Sequence, residues 1–383
     1  MRWASEIATA MRLEDALEEA AESVLAELGQ QPDLVIAFIS QAYADHFSSL
    51  PESLREYFPD ALSFGSSVGG VIGSHAELEA QNGIVLMAAV LPDVEIQSFR
   101  LGSDPHKWED EIGISEGTQD AQFLVIAEPF GCDSSQLISW LDQRFPDCPK
   151  VGGIASGGQT AGDSILMENN TLYRTGAVGL AFRGNIKIDT VVAQGCRPIG
   201  SPMFVTRSVG NVLYEIDGQP AIGVLEQLFA SLKDDDRRLA HTSLFAGIGM
   251  NNDKEVYEHG DFLIRGILNV DPEAKSIAVA SMVRPGSIVQ FHLRDAKTSA
   301  TEVKEMLSAA QSEGTQAALL FNCLGRGKEL YGESHHDTTC FHDAMGDLPL
   351  AGFFGNGEIG PVAGQTFLHS YTAVFALFGP KEN

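Results

Sequence analysis

The sequence Gly65-Ser66-Ser67-Val68-Gly69-Gly70 stands between two apolar segments of strand length. Before it lies Leu34-Val35-Ile36-Ala37-Phe38-Ile39, and after it Gly83-Ile84-Val85-Leu86-Met87-Ala88-Ala89-Val90. Short uninterrupted apolar runs of this kind are typical of buried strands. The pattern also predicts a helix over Leu50–Tyr57, between the first strand and the glycines. The local order is therefore strand, helix, glycine-rich turn and strand.

The same order recurs twice further along the chain. The corresponding first strands, glycine-rich turns and closing strands are Phe123–Ala127, Val151–Gly158 and Gly176–Phe182 in the second copy, and Ala317–Phe321, Ala351–Gly357 and Tyr371–Phe378 in the third. The spacing from first strand to turn glycine is similar, at 30, 28 and 33 residues (Val35 to Gly65, Leu124 to Gly152, Leu319 to Gly352). A repeated unit of this kind indicates an α/β protein that arose by duplication.

A fourth, degenerate copy is expected over His241–Arg294, where four short strand patterns occur. Two copies on either side of the turn Asp217-Gly218-Gln219-Pro220 would divide the chain into modules 1–220 and 221–383. We therefore expect an α/β fold of two duplicated modules. Their strand–helix–Gly-turn–strand units would form mixed sheets flanked by helices.

Composition excludes several classes of partner. The 383 residues include 25 Lys+Arg and 52 Asp+Glu, a net charge of −27, which disfavours binding to nucleic acid and to anionic membrane surfaces. The five cysteines contain no Cys-x-x-Cys pair, which favours a reducing compartment. The longest apolar segment, Ile84–Leu91, is shorter than the roughly 20 residues that span a bilayer, and the acidic N-terminus is unlike a signal peptide. We expect a cytoplasmic protein.

Several motifs resemble the FIST family. The resemblance to the N-terminal FIST module lies in Trp3-Ala4-Ser5, Asp33-Leu34-Val35, Phe64–Ile72, Glu77 and, at the end of the module, Gly210–Ala221. The C-terminal FIST module is resembled most densely by Phe321–Gly327, Pro349–Pro361 and His369–Ala373. The resemblance covers nearly the whole chain.

The resemblance implies a sensory or signal-transduction protein that binds a small molecule, amino acids being the class suggested for the family. It supplies no catalytic residues, and it implies neither a cofactor nor a metal. The chain shows no output domain, so a signal would pass to a separate partner protein.

The glycine-rich segments contain three candidate ligand-binding residues, Ser66, Ser67 and Ser156. Backbone N–H groups and small hydroxyls in such a segment suit a carboxylate or a phosphate. The alternative is that the glycines allow strands to cross closely. The sequence leaves both interpretations open.

A second candidate site follows the first strand of the third copy. Arg326 supplies a planar fork for a carboxylate, and Asn322 both donates and accepts hydrogen bonds. Glu358, in another glycine-rich loop, would hold an amino group, so that Arg326 and Glu358 read the two ends of an amino acid. The alternative is that Arg326 neutralises an internal acid such as Glu358.

Three further features carry weaker hypotheses. Tyr371 would line the pocket, and Cys323 would act as a nucleophile with His369 as its base; the alternative is that both are core residues. A histidine-rich segment would hold zinc through His336, Cys340 and His342, or would simply form a surface loop. Three functions therefore remain open: a sensory protein that binds a small molecule, an enzyme that uses Cys323 or Glu358, and an interaction scaffold without a ligand.

Overall fold

The computed structural model describes residues 1–252, 254–311 and 314–381. Up to residue 184 its helices and strands are β1 (Arg2–Ala8), α1 (Leu13–Leu28), β2 (Leu34–Ser40), α2 (Leu50–Tyr57), β3 (Leu62–Val68), β4 (Gly70–Gly73), β5 (Glu77–Glu79), β6 (Ile84–Val90), β7 (Val94–Leu101), α3 (Trp108–Glu111), β8 (Gln122–Ala127), α4 (Ser134–Arg144), β9 (Lys150–Ile154), β10 (Leu166–Glu168), β11 (Thr171–Tyr173) and β12 (Ala177–Gly184).

Beyond residue 184 they are β13 (Lys187–Ala193), β14 (Cys196–Val209), β15 (Val212–Ile216), β16 (Gln219–Pro220), α5 (Ala221–Ser231), α6 (Asp234–Ser243), β17 (Leu244–Gly249), β18 (Phe262–Asp271), β19 (Ser276–Val279), β20 (Ile288–Arg294), α7 (Ala296–Ala309), β21 (Ala317–Cys323), α8 (Lys328–Tyr331), α9 (His336–Met345), β22 (Leu350–Gly355), β23 (Gly357–Val362), β24 (Gln365–His369) and β25 (Ala373–Gly379). Short 3₁₀ segments lie at Gln41–Ser49 and Pro105–Lys107. Within the described residues, none of the helices combines the length and the apolar character needed to cross a bilayer.

The first helix shows how directly the pattern specifies local structure. Leu13, Leu17 and Leu28 lie on its buried face, as helical spacing predicts. The helix ends at Gly29, whose φ of 66° is left-handed, and the Gly29 N–H donates to the Leu25 carbonyl at 2.9 Å. Glycine adopts this cap conformation without steric cost. The helical spacing of apolar residues from Leu13 to Leu28, closed by Gly29, predicts this helix from the sequence alone, and the structure confirms it.

The chain forms two compact units. Unit 1 contains residues 1–192 and 303–383, and unit 2 contains residues 193–302. These units follow a different division from the sequence modules 1–220 and 221–383. The module boundary at residue 220 remains a prediction.

Unit 1 contains three six-stranded sheets, one for each predicted copy. Their strand orders are β1-β6-β2-β3-β10-β11, β7-β12-β8-β9-β23-β24 and β13-β25-β21-β22-β4-β5. Each sheet is built on one parallel pair, which joins the first strand of the copy to the strand that carries the glycines (β2 with β3, β8 with β9, β21 with β22). The closing strand of each copy pairs antiparallel to its first strand. The α/β class, with mixed sheets flanked by helices, is confirmed.

The three copies exchange hairpins in a cycle. The hairpin that follows the glycine strand leaves its own sheet and joins the sheet of another copy. Hairpin β4–β5 joins the third sheet, β10–β11 joins the first, and β23–β24 joins the second. The exchange brings residues of the first copy against the third.

The glycines that the sequence assigns to turns lie inside strands. A Cβ atom on each would lie 1.8–2.0 Å from a backbone carbonyl oxygen of the parallel neighbour (Gly65 against Ala37, Gly152 against Val125, Gly352 against Leu320). A real Cβ cannot approach so closely. The absence of a side chain therefore lets the paired strands approach closely at these three positions. This agrees with the alternative given above, that the glycines allow strands to cross closely.

Apolar side chains cover both faces of the first two sheets. Inner side chains from all three sheets share one core, in which the rings of Phe38, Phe321 and Phe353 lie 4.8–6.5 Å apart. A second apolar cluster, with α1 and α2, covers the outer face of the first sheet, and a third, with α4, covers that of the second.

Unit 2 is an antiparallel barrel rather than a fourth copy. Its strands follow the order β14-β20-β17-β18-β19-β15-β16, and β14 also pairs with β15, which closes the sheet. The strand patterns predicted over His241–Arg294 are present as β17 to β20, but all of them pair antiparallel. The expectation of a fourth strand–helix–Gly–strand unit is wrong, because strand patterns alone do not specify which strands pair.

Acid is expected to weaken unit 2 through His292. This residue is 1% exposed on β20, and burial lowers its pKa to about 4. Because the unfolded chain takes up this proton at higher pH than the folded one, the contribution of His292 to stability falls as the pH drops from about 6.5 towards 4. Thermal unfolding of the wild type and of His292→Phe at pH 7 and pH 5 checks this. The wild type should lose more stability than the variant, and parallel losses would contradict the assignment.

Candidate functional site

The serines predicted to bind a ligand lie near strand ends, and two of them form hydrogen bonds with backbone groups. The Ser67 hydroxyl accepts from the Ile165 N–H at 2.9 Å. The Ser156 hydroxyl accepts from the Gly69 N–H at 2.8 Å and donates to the Phe354 carbonyl. Ser156 therefore links the glycine strands of all three copies. Ser66 is fully buried, and its hydroxyl has no hydrogen-bond partner among the described residues.

Polar and ionisable side chains meet on the third sheet, between β21, α8, α9 and the hairpin that the first copy donates. We call this group the Asp337 cluster, and it consists of Glu77, Asn322, Arg326, Tyr331, His336, Asp337 and Thr338. Three of its members are among the residues that the sequence analysis selected: Asn322 and Arg326 as ligand-binding residues and His336 as a zinc ligand.

Asp337 is the centre of this cluster. Its carboxylate and the Arg326 guanidinium are both 0% exposed and form a two-pronged pair, with Nε to Oδ2 at 2.8 Å and Nη2 to Oδ1 at 3.1 Å. The Asn322 amide donates to Oδ2 at 2.8 Å, and the Tyr331 hydroxyl donates to Oδ1 at 3.0 Å. The Arg326 charge and these hydrogen bonds outweigh burial and hold the pKa of Asp337 well below its usual range. Arg326 thus has Asp337 as its carboxylate partner.

Glu77 reaches the cluster from hairpin β4–β5. Its Oε1 accepts from the Thr338 N–H at 2.8 Å, in the first turn of α9, and its own N–H donates to Nδ1 of His335 at 2.8 Å. Burial, and then the charge of Asp337, raises the pKa of Glu77 to about 7. Oε2 of Glu77 has no hydrogen-bond partner in the described part of the chain. Glu77 is therefore a buried carboxyl group that titrates near neutral pH.

His336 and Tyr331 form the partly exposed side of the cluster. Their rings stack at a centroid distance of 3.6 Å, and Nδ1 of His336 lies 3.1 Å from Oδ1 of Asp337. Burial opposes the charged imidazolium, but the bond to Asp337 prevails and raises the pKa of His336 to about 9. The cluster thus combines two cations, Arg326 and His336, with the ionised carboxylate of Asp337. Its fourth ionisable group, Glu77, is near the midpoint of its titration at neutral pH. Such perturbed groups are frequent at functional sites.

The other two sheets are apolar at the matching position. Asn322, Ile39 and Ala127 each lie two residues after the residue that faces a strand glycine, as the pairing registers show. Ile39 and Ala127 belong to the apolar clusters that cover the outer faces of their sheets. At this position, the third sheet is the one among the three described sheets of unit 1 that carries a polar side chain.

The remaining predicted residues lie near the closing strand of the third copy. Glu358 is fully buried on β23, and its Oε2 accepts from the Thr372 N–H at 3.2 Å. The Cys323 N–H donates to the Thr372 carbonyl at 3.1 Å, and Tyr371 has a φ of 64°. Nε2 of His369 lies 3.0 Å from the Gly360 carbonyl. The roles proposed for Glu358, Cys323 and Tyr371 remain predictions.

The histidine-rich segment forms α9 rather than a surface loop. Nδ1 of His342 lies 2.9 Å from the Gly346 carbonyl, and Cys340 lies 3.9 Å from Nε2 of His336. Across residues 1–252, 254–311 and 314–381, no three His, Cys, Asp or Glu side chains are arranged to hold a metal ion.

A cavity of about 660 Å³ lies elsewhere in unit 1, away from the Asp337 cluster. Pro146, Cys148, Asp189, Thr190 and Thr366 are among its lining residues. Its volume falls in the range of small-molecule pockets. It is the competing location for a ligand.

Sequence reasoning missed Glu77, Tyr331 and Asp337 as site residues. Asp337 follows two histidines in the segment for which a zinc site is predicted, but it is not one of the three predicted ligands. Glu77 lies in a motif that resembles the family, but 245 residues separate it from Asn322 along the chain. The exchanged hairpin places Glu77 of the first copy beside α9 of the third.

Comparisons with known proteins find similarity over nearly the full length of this chain. A model of the FIST N domain matches residues 33–219, and a model of the FIST C domain matches residues 221–361. An uncharacterized protein of Mycobacterium tuberculosis is 33% identical over 99% of this chain and 100% of its own length. An uncharacterized protein of Mycobacterium bovis is 31% identical over 99% of each chain.

Two further similarities are more limited. Human F-box only protein 22 is 30% identical over 99 residues, which is 22% of this chain and 25% of that protein. A crystal structure of cyanuric acid hydrolase from A. caulinodans covers 100% of this chain and 99% of its own, with a TM-score of 0.35 and 9% identity, which is too low to indicate a shared fold. The two domain matches and the full-length relatives lead to one conclusion: the chain belongs to the FIST family.

Proposed function

We propose that this protein is a sensor that binds a small polar metabolite, such as an amino acid, in the Asp337 cluster and signals through a partner protein. FIST domains are generally sensory or signal-transduction domains that bind ligands. Ligand occupancy would favour one conformation of the protein over another, and the partner would read the difference.

The observation that carries this proposal is the fully buried Arg326–Asp337 pair beside Asn322 on the third sheet, at a position where the other two sheets carry apolar side chains. Two matching sheets cover this position with apolar side chains such as Ile39 and Ala127. A buried ion pair is often no more stabilising than apolar residues of the same volume, because both charges lose their hydration. Stability alone therefore does not explain Arg326 and Asp337, and a binding role does.

Unused hydrogen-bonding capacity supports the same location. Oε2 of Glu77, Oδ1 of Asn322 and Oγ1 of Thr338 are buried and have no partner among the described residues. Buried polar atoms nearly always have a hydrogen-bond partner. A ligand that supplies the missing partners would be bound at these atoms.

The test is a thermal-shift screen of amino acids and other small polar metabolites against the wild type and two variants. A ligand present at one hundred times its dissociation constant is expected to stabilise the wild type by about 2.7 kcal/mol. Asn322→Ala should lose this shift, and Thr190→Val, which alters the 660 Å³ cavity, should retain it. The proposal fails if no compound shifts the wild type, or if the shift survives in Asn322→Ala and disappears in Thr190→Val.

A further inference from the structure

We propose that the Asp337 cluster recognises its ligand through a primary ammonium group and that Glu77 is the residue that accepts it. This inference rests on the proposed function and narrows the ligand to a class. It also reverses the expectation that Arg326 would bind a ligand carboxylate.

The first step concerns the donors of the cluster. Nε and Nη2 of Arg326, Nδ2 of Asn322 and the Tyr331 hydroxyl all point to the carboxylate of Asp337. A ligand carboxylate would have to compete with Asp337 for these donors. The protein's own carboxylate already occupies the position that a ligand carboxylate would need.

The second step concerns the acceptors. Three buried atoms of the Asp337 cluster have no hydrogen-bond partner in the described chain: a carboxyl oxygen of Glu77, the amide oxygen of Asn322 and the hydroxyl oxygen of Thr338. The Asn322 amide oxygen can only accept a hydrogen bond, and so can the Glu77 oxygen when Glu77 is ionised. The Thr338 hydroxyl oxygen is also able to accept. A primary ammonium group has three N–H donors and no acceptor. The unused capacity of the cluster is for accepting hydrogen bonds and therefore matches an ammonium group in kind.

The third step concerns charge. Glu77 has no Lys, Arg or His partner within ion-pair distance among the described residues. The charged groups that act on it are Asp337 on α9 and Glu79 on its own strand, and both disfavour its ionisation. The neighbouring His335 ring accepts from the Glu77 N–H through Nδ1 and forms no ion pair with the Glu77 carboxyl. A bound cation would supply the positive charge that Glu77 lacks nearby.

A bound cation would also fix Glu77 in its ionised form. In the protein without ligand, burial raises the pKa of Glu77 to about 7, so part of the population carries a proton at neutral pH. Binding of an ammonium group should release that proton to the buffer. Affinity should consequently rise with pH between 6 and 8.

The experiment measures thermal shifts and binding heats with methylammonium, tetramethylammonium and acetate at equal ionic strength. Tetramethylammonium carries the same charge as methylammonium but has no N–H donor. It therefore controls for general attraction to a protein of net charge −27. The proteins are the wild type, Glu77→Gln and the matched control Glu79→Gln, which removes the same charge two residues away.

We expect methylammonium alone to stabilise the wild type, more strongly at pH 8 than at pH 6. Glu77→Gln should weaken methylammonium binding about tenfold or more, as for the loss of a charge-assisted hydrogen bond, whereas Glu79→Gln should bind almost as the wild type does. Circular dichroism of each variant verifies folding. Equal shifts with methylammonium and tetramethylammonium, or unchanged binding in Glu77→Gln, would overturn the inference.

The outcome also separates this inference from the proposed function. If acetate or an uncharged metabolite stabilises the wild type through Asn322 and methylammonium does not, the protein is a sensor of another ligand class and the ammonium inference is wrong. If no compound in either panel binds, both are wrong.

Discussion

Asp337→Asn is expected to lower the free energy of unfolding by about 3–5 kcal/mol. The amide keeps the shape of the side chain but removes the carboxylate charge that pairs with Arg326 at 2.8 Å. The guanidinium, 0% exposed, would then lose the counter-charge that Asp337 supplies. Urea unfolding of the full chain at pH 7, followed by circular dichroism, measures the change.

Asp347→Asn is the matched control for this substitution. The Asp347 side chain is 86% exposed, and its contact with His75 is 3.4 Å long. Exposed ion pairs contribute at most about 1 kcal/mol. A loss below 1 kcal/mol in Asp337→Asn would show that the buried pair is not intact in solution.

Gly152→Ala is expected to cost about 3 kcal/mol or more, or to prevent folding. A Cβ atom at this position would lie 1.8 Å from the Val125 carbonyl oxygen, which belongs to the backbone of the parallel neighbour. No side-chain rotation relieves such a contact, so β8 and β9 would have to separate. Thermal unfolding, with expression yield in soluble form as a second readout, measures the effect.

Gly223→Ala serves as the control for the glycine argument. Gly223 lies inside α5, and a Cβ there meets nothing within 4 Å. Alanine in an open helical position stabilises by up to about 1 kcal/mol relative to glycine. The two substitutions should therefore act in opposite directions. If Gly152→Ala were neutral, close strand crossing would not be the reason for the glycine.

The local elements were predictable because apolar periodicity determines them. The pattern of α1 predicted both of its ends, and three similar spacings predicted three strand–helix–strand copies. Pairing between distant strands was not predictable in the same way. Hairpin β4–β5 pairs with β22, almost 280 residues later, and no local pattern records that choice. The same limit explains why four strands of unit 2 resembled a fourth copy.

The site was predictable only where its residues follow a strand. Asn322 and Arg326 come directly after an apolar run, which is where polar groups gather in α/β sheets. Asp337 and Glu77 carry no such local signal. Their place in the site depends on α9 packing against the third sheet and on the exchanged hairpin. The sequence indicated that Arg326 meets a carboxylate and left open whether a ligand or an internal acid supplies it.

The most direct test of the central claim replaces the charged centre of the Asp337 cluster by the apolar layer found on the other two sheets. The variant combines Glu77→Leu, Asn322→Ile, Arg326→Met and Asp337→Leu, and its free energy of unfolding is compared with that of the wild type. If the cluster exists to bind a ligand, the variant should fold with equal or greater stability, by up to about 4 kcal/mol, and should lose every ligand-induced shift. A loss of several kcal/mol, or a ligand shift that survives, would contradict a binding role for the Asp337 cluster.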